Sequence, residues 1–164
     1  QGKCTKSFVS GDSAGGGLSL GVTLSLKDDG SQLPDAVMSL CPWAELDPVS
    51  ESYETNASND PYISRDAISA FRDLYIENES DLKDPYASPV YGDYDGFPPL
   101  LIQVGGREVL LDDSLKVAEK AKKSGCEVKL EVWDDMVHVF QGYAPFLPEA
   151  NEALEAIAKF ISNK

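Results

Sequence analysis

The sequence predicts an α/β fold: about four parallel strands with flanking helices. Three observations carry that reading. Short apolar runs alternate along the chain with longer stretches whose small and apolar residues recur every three or four positions. Glycine, proline or paired aspartates close each run. The chain has 164 residues, the length of one domain spanning 1–164, and a domain of that size buries about 68–70% of its unfolded surface. Strands that alternate with helices lie parallel and are joined by right-handed crossovers.

The elements follow in order. Residues 7–10 are a short buried strand stopped by Gly11. From Ala14 to about Lys27 a helix period runs through Ala14, Leu18, Gly21, Val22 and Ser25, until Asp28-Asp29-Gly30 stops it. Residues 35–41 form a second strand, closed by Pro42, and residues 44–61 are polar without clear periodicity. Ser64 caps a helix that places Ile68, Phe71, Leu74 and Tyr75 on one face. After a proline-rich loop, residues 100–104 are a third strand. Asp112-Asp113-Ser114 opens a helix carrying Leu115, Ala118 and Ala121 and ending near Gly125. Residues 127–133 alternate, with Val128, Leu130 and Val132 on one side and charges on the other, as an edge strand does. Pro148 starts a last helix with Ala150, Leu154, Ile157, Ala158 and Ile161 on its apolar side.

Composition narrows the function. A formal charge of -14 repels nucleic-acid backbones and anionic membranes, so no nucleic-acid partner is expected. No run of about 18 apolar residues spans a bilayer. Cys4, Cys41 and Cys126 are odd in number and lack ligand spacing, so they read as reduced thiols of a cytoplasmic protein with no metal. Asn56-Ala57-Ser58 and Asn78-Glu79-Ser80 match the glycosylation acceptor pattern, which is common by chance.

In a parallel sheet ligands bind at the carboxyl ends of the strands, and the informative residues stand there. Ser13 follows the first strand inside Gly11-Asp12-Ser13-Ala14-Gly15. A strand-to-helix turn this sharp strains the central residue and calls for glycine at both flanks. It also sets Ser13 at a helix N-terminus, where the Ala14 amide points at a developing oxyanion. A serine nucleophile needs a base, and His138, the single histidine, follows the last strand. For the acid, Glu108 lies just past the third strand. Asp112 and Asp113 are the alternatives, although aspartates at a helix start usually cap it. The order serine, acid, histidine is that of the α/β-hydrolase fold.

The segments "GDSAGG", "SPVYGDYDGFPPLLIQVGG", "EVLLDDS" and "MVHVF" resemble the C-terminal portion of the hormone-sensitive-lipase-like family of esterases, over essentially the whole chain. The resemblance implies Ser13 as nucleophile, His138 as base, Glu108 as acid where the family usually has aspartate, and no cofactor. It also implies an upstream HGGG-type oxyanion loop, a helical cap and the first half of the sheet, none of which this sequence contains. Ala14 is then the one obvious oxyanion donor, and the loss of a donor costs about 2.7–4 kcal/mol.

The expected function is a serine carboxylesterase acting on small short-acyl esters. Trp43, Leu110, Val139 and Phe140, each just past a strand, are candidates for the substrate pocket. Two other readings stand beside it: a hydrolase-fold small-molecule binding protein and a catalytically inert fragment. A first strand without its inner neighbour exposes an edge. The chain is therefore expected either to complement a missing N-terminal half or to self-associate.

Overall fold

The computed structural model describes residues 5–164. Strands β1 (Phe8–Asp12), β2 (Ala36–Leu40), β3 (Leu100–Gly105) and β4 (Val128–Trp133) form one four-stranded sheet in the order β1-β2-β3-β4. Every pairing is parallel, with Phe8 opposite Ala36, Val37 opposite Leu100, and Leu100 opposite Val128. Helix α1 (Ala14–Asp28) joins β1 to β2. Helices α2 (Ser52–Thr55) and α3 (Arg65–Tyr75) lie on the long connection to β3. Helix α4 (Leu111–Lys123) joins β3 to β4, and α5 (Pro148–Ser162) follows.

The inner strands β2 and β3 are buried almost throughout, which is why they read as continuous apolar runs. Their side chains divide by the two-residue period. Val37, Leu100 and Ile102 pack with Leu20 and Leu24 of α1 and Val117, Ala118 and Ala121 of α4. Ala36, Met38 and Leu101 face the other way, onto Phe160 of α5. Burying each such aliphatic side chain contributes about 1.5–3 kcal/mol. Ser64 caps α3, its Oγ accepting the Ala67 N–H at 3.2 Å.

The helix faces differ from the sequence reading, and each difference has a packing cause. In α1, Leu18 and Val22 are 57% and 44% exposed, while Gly16, Gly17, Leu20, Gly21 and Leu24 face inward. The helix lies so close to its neighbours that glycine forms its contact surface. A Cβ on Gly17 would stand 2.0 Å from the Trp43 carbonyl oxygen, and one on Gly21 2.1 Å from that of Tyr86. In α3 only Ile68 is buried, and Phe71, Leu74 and Tyr75 stand exposed along a groove opposite Leu18. Helix α4 turns Val117 inward where Leu115 was expected. Helix α5 uses Ala153 and Phe160 in place of Leu154 and Ala158. Val132, at the end of the edge strand β4, is 40% exposed.

Cys41 and Cys126 are free thiols, and Cys4 lies outside the described residues. Among the described residues no helix is long and apolar enough to cross a membrane. Since all four strands run the same way, the turns after β1, β2, β3 and β4 open on one edge of the sheet.

Candidate active site

Ser13 sits at the junction of β1 and α1 with φ 55° and ψ -123°, a conformation that L residues adopt only under constraint. The constraint is visible in the backbone. The Ser13 N–H donates to the Leu40 carbonyl at 2.9 Å, and the Ser13 carbonyl accepts from Gly16, Gly17 and Trp43. The side chain makes no capping bond to its own helix and is left free to point at the histidine. Of the two flanking glycines only Gly11 is required by space. A Cβ there would lie 2.2 Å from the Gly15 carbonyl oxygen, whereas one on Gly15 meets nothing within 4 Å.

His138 lies beyond β4 with its ring 2.9 Å from Ser13 Oγ through Nε2 and 2.6 Å from Glu108 Oε2 through Nδ1. Glu108 is fully buried, and its second oxygen Oε1 accepts the Gly105 N–H at 2.6 Å. Nδ1 thus faces a carboxyl oxygen and Nε2 faces the Ser13 hydroxyl, the two contacts that an imidazole carrying its proton on Nδ1 makes as donor and as acceptor. Backbone holds the turn that carries Glu108 against the histidine segment. Gly106 N–H donates to the Trp133 carbonyl at 2.8 Å and Arg107 N–H to that of Met136 at 3.1 Å. Cβ atoms on Gly105 and Gly106 would come within 2.3 and 2.4 Å of carbonyl oxygens there, so this close packing requires both glycines.

Asp112 and Asp113 are occupied elsewhere. Asp113 Oδ2 accepts the Ala44 and Glu45 N–H groups at 2.8 and 2.9 Å, and Asp112 Oδ2 accepts that of Ser52 at 2.8 Å. Complete burial pushes the Asp113 carboxyl up to about 7, against the pull of those two amides. Glu108 is the carboxylate that meets the imidazole.

Three non-glycine residues have left-handed φ among the described residues: Ser13, Cys41 (φ 47°) and Val139 (φ 50°). All lie at this edge, and the Val139 N–H donates to Cys41 Sγ at 3.4 Å. Cys41, Glu108 and His138 bring a thiol, a carboxylate and an imidazole nitrogen within 4.8 Å of one another, the kind of donor set that holds a metal ion. Burial, and then the Glu108 charge, push the Cys41 thiol well above its ordinary range, so it is the protonated S–H that stands there. The other two donors are spent on each other.

Two cavities flank the Ser13–His138 contact. One of about 550 Å³ runs from Ser13 and Ala14 past Trp43 to Ile68, Phe71 and Leu74. A second of about 350 Å³ lies on the histidine side, bounded by Tyr62, Val139 and Tyr143. Ala14, first residue of α1, has an amide with no acceptor within the helix. Trp43 and Val139 therefore stand on cavity walls. Leu110 and Phe140 do not: both are fully buried, Leu110 packing with Val109, Tyr53 and Ile68 and Phe140 with Trp133 and α5.

A serine after the first strand, a carboxylate after the third and a histidine after the fourth, joined in one hydrogen-bonded series, are the arrangement of an α/β hydrolase. The chain belongs to that family: the model of the alpha/beta hydrolase fold family matches residues 1–142. It is 38% identical over 153 residues to an acetyl-hydrolase of Streptomyces hygroscopicus, covering 93% of this chain and 51% of the relative. With an esterase of Acinetobacter venetianus it shares 36% identity over 156 residues, 95% of this chain and 52% of the other. An esterase/lipase from an uncultured bacterium superposes with a TM-score of 0.90 at 43% identity, covering 95% of this chain and 52% of that one. A hormone-sensitive lipase from a metagenome library gives 0.91 at 39% identity, with coverage of 95% and 53%. The hormone-sensitive-lipase-like character read from the motifs stands. The chain spans about half the length of the curated relatives it matches.

Proposed function

We propose that the chain carries the catalytic residues of a serine carboxylesterase acting on small, short-acyl esters, within one catalytic domain. The observation that carries this reading is the unbroken series Ser13 Oγ, His138 Nε2, His138 Nδ1 and Glu108 Oε2, at 2.9 and 2.6 Å. Ser13 Oγ attacks the ester carbonyl as its proton passes to His138, while Glu108 holds the ring and stabilises the imidazolium. The Ala14 N–H donates to the developing oxyanion. His138 then protonates the departing alcohol, and water, deprotonated by the same nitrogen, releases the acid from the acyl-enzyme. The short-acyl preference is supported by the acetyl-hydrolase relative, whereas the 550 Å³ cavity beside Ser13 is roomy enough for longer chains. Free thiols at Cys41 and Cys126 suit a reducing, cytoplasmic setting.

A specific observation favours a second reading, in which this length of chain holds the triad but turns over little. The β1 edge away from β2 is unpaired among the described residues, and the apolar groove of Leu18, Phe71 and Leu74 is open. Self-association or a complementing half would cover both. Hydrolysis of p-nitrophenyl acetate, butyrate and decanoate, with Ser13→Ala as control, tests the two readings. Ser13-dependent turnover, fastest on acetate or butyrate, supports the esterase. Ser13-independent turnover, or a preference for decanoate, contradicts the corresponding part of the proposal.

A further inference from the structure

We infer that the segment from Ser52 to Asp60 is a splint that sets the position of Glu108, with Asn56 as its principal positioning residue. The inference rests on the reading of Glu108 as the acid that orients His138. The Glu108 turn has two flanks. On one, backbone amides of Gly106 and Arg107 bind carbonyls of the histidine segment, as described above. On the other, side chains of one short segment satisfy the backbone. Asn56 Nδ2 donates to the Gly106 carbonyl at 3.0 Å and to the Glu108 carbonyl at 2.8 Å, bracketing Arg107. Asp60 Oδ2 accepts the Val109 N–H at 3.0 Å, and Ser52 Oγ donates to the Val109 carbonyl at 2.6 Å.

This flank is built from side chains, so it is where mutation reaches the acid without touching it. A turn whose carbonyls are not tied rotates its peptide planes, and Glu108 has two side-chain contacts that depend on that plane, to Gly105 N–H and to His138 Nδ1. Asp60 is itself braced, since its Oδ1 accepts the Tyr62 and Ile63 N–H groups at 2.9 and 3.0 Å. The splint thus links the acid turn to Tyr62 and Ile63 on the walls of the two cavities. Asn56 also matches a glycosylation acceptor pattern. Its amide nitrogen, which would carry a glycan, is already engaged by two carbonyls, and this assigns the residue to the acid turn.

The test uses the 164-residue chain, in which His138 is the single histidine, so its ring resonances need no assignment by mutation. Asn56→Ala removes both donors. Asn56→Asp keeps the shape but places carboxylate oxygens against the two carbonyls, and it serves if the alanine variant folds poorly. Ser58→Ala, at an exposed neighbour, is the control. Two readouts are taken: the downfield Nδ1 proton of the imidazole by NMR, and the rate of fluorophosphonate labelling at Ser13. The expected result is an upfield-shifted or rapidly exchanging Nδ1 proton in both Asn56 variants. Labelling slows about tenfold or more, the effect of losing two modest hydrogen bonds, and Ser58→Ala matches the parent. Folded Asn56 variants that keep the parent's Nδ1 resonance and labelling rate overturn the inference. Failure of the esterase reading looks different: Ser13→Ala then leaves ester turnover unchanged, while the Nδ1 resonance still reports on the splint.

Discussion

Replacing Glu108 by glutamine changes one oxygen for a nitrogen at the centre of the site, and the surrounding geometry dictates which way the amide must turn. The Gly105 N–H, 2.6 Å from Oε1, can only donate, so the amide oxygen takes that position. The amide NH₂ then faces His138 Nδ1 across the former 2.6 Å contact. An N–H there donates to Nδ1 and drives the imidazole proton to Nε2, the atom that must accept from Ser13. The base is present but in the wrong tautomer, and the imidazolium loses its counter-charge. The corresponding exchange in a serine–histidine–carboxylate triad lowers turnover by about 10⁴, which converts to about 5 kcal/mol at 1.36 kcal/mol per factor of ten. The assay is hydrolysis of p-nitrophenyl acetate by parent, Glu108→Gln and Ser13→Ala, with circular dichroism to establish folding. A folded Glu108→Gln variant within tenfold of the parent, beside an inactive Ser13→Ala, refutes the assignment of the acid.

Two further outcomes follow from packing and charge. Asp113 carries its carboxyl fully buried and raised from 3.8 to about 7, so the folded state binds its proton more tightly than the unfolded chain does. The contribution is most favourable below about pH 4 and is lost as pH rises through about 7. Asp113→Asn keeps an oxygen for the Ala44 and Glu45 amides, so it should raise the thermal midpoint at pH 8 and flatten the pH dependence between 4 and 7. A lower midpoint at pH 8 refutes this. Gly11→Ala places a Cβ 2.2 Å from the Gly15 carbonyl oxygen and should destabilise by about 1–3 kcal/mol, whereas Gly15→Ala, with nothing within 4 Å, should leave thermal unfolding unchanged. Equal midpoints for the two variants argue against the close approach of strand and helix.

Much of the arrangement was legible in the sequence because alternation and turn chemistry report on local backbone. The four strands appear where the apolar runs lie, and a parallel sheet necessarily brings the residues after its strands to one edge. Ser13 and His138 could be placed there from the sequence, and Glu108 with Asp112 and Asp113 beside it as alternatives. The helix faces were less legible. A glycine contact surface, as in α1, carries no hydrophobic signal, and the exposed Leu18 and Val22 stripe mimics a core face. Leu110 and Phe140 follow strands as pocket residues do, yet both are fully buried, Leu110 against Tyr53 and Ile68 and Phe140 against Trp133 and α5. The stretch 44–61 had no period because its work is done by single polar side chains. Asn56, Asp60 and Ser52 bind backbone at residues some 50 positions away, and no local pattern encodes that.

The measurement that bears most directly on the account is fluorophosphonate labelling of the folded chain, located by mass spectrometry, in the parent, Ser13→Ala and His138→Ala. The expected result is one adduct, on Ser13, absent from Ser13→Ala and strongly slowed in His138→Ala. A folded parent that takes no label, or takes it on another residue, contradicts the claim that this chain assembles an activated serine.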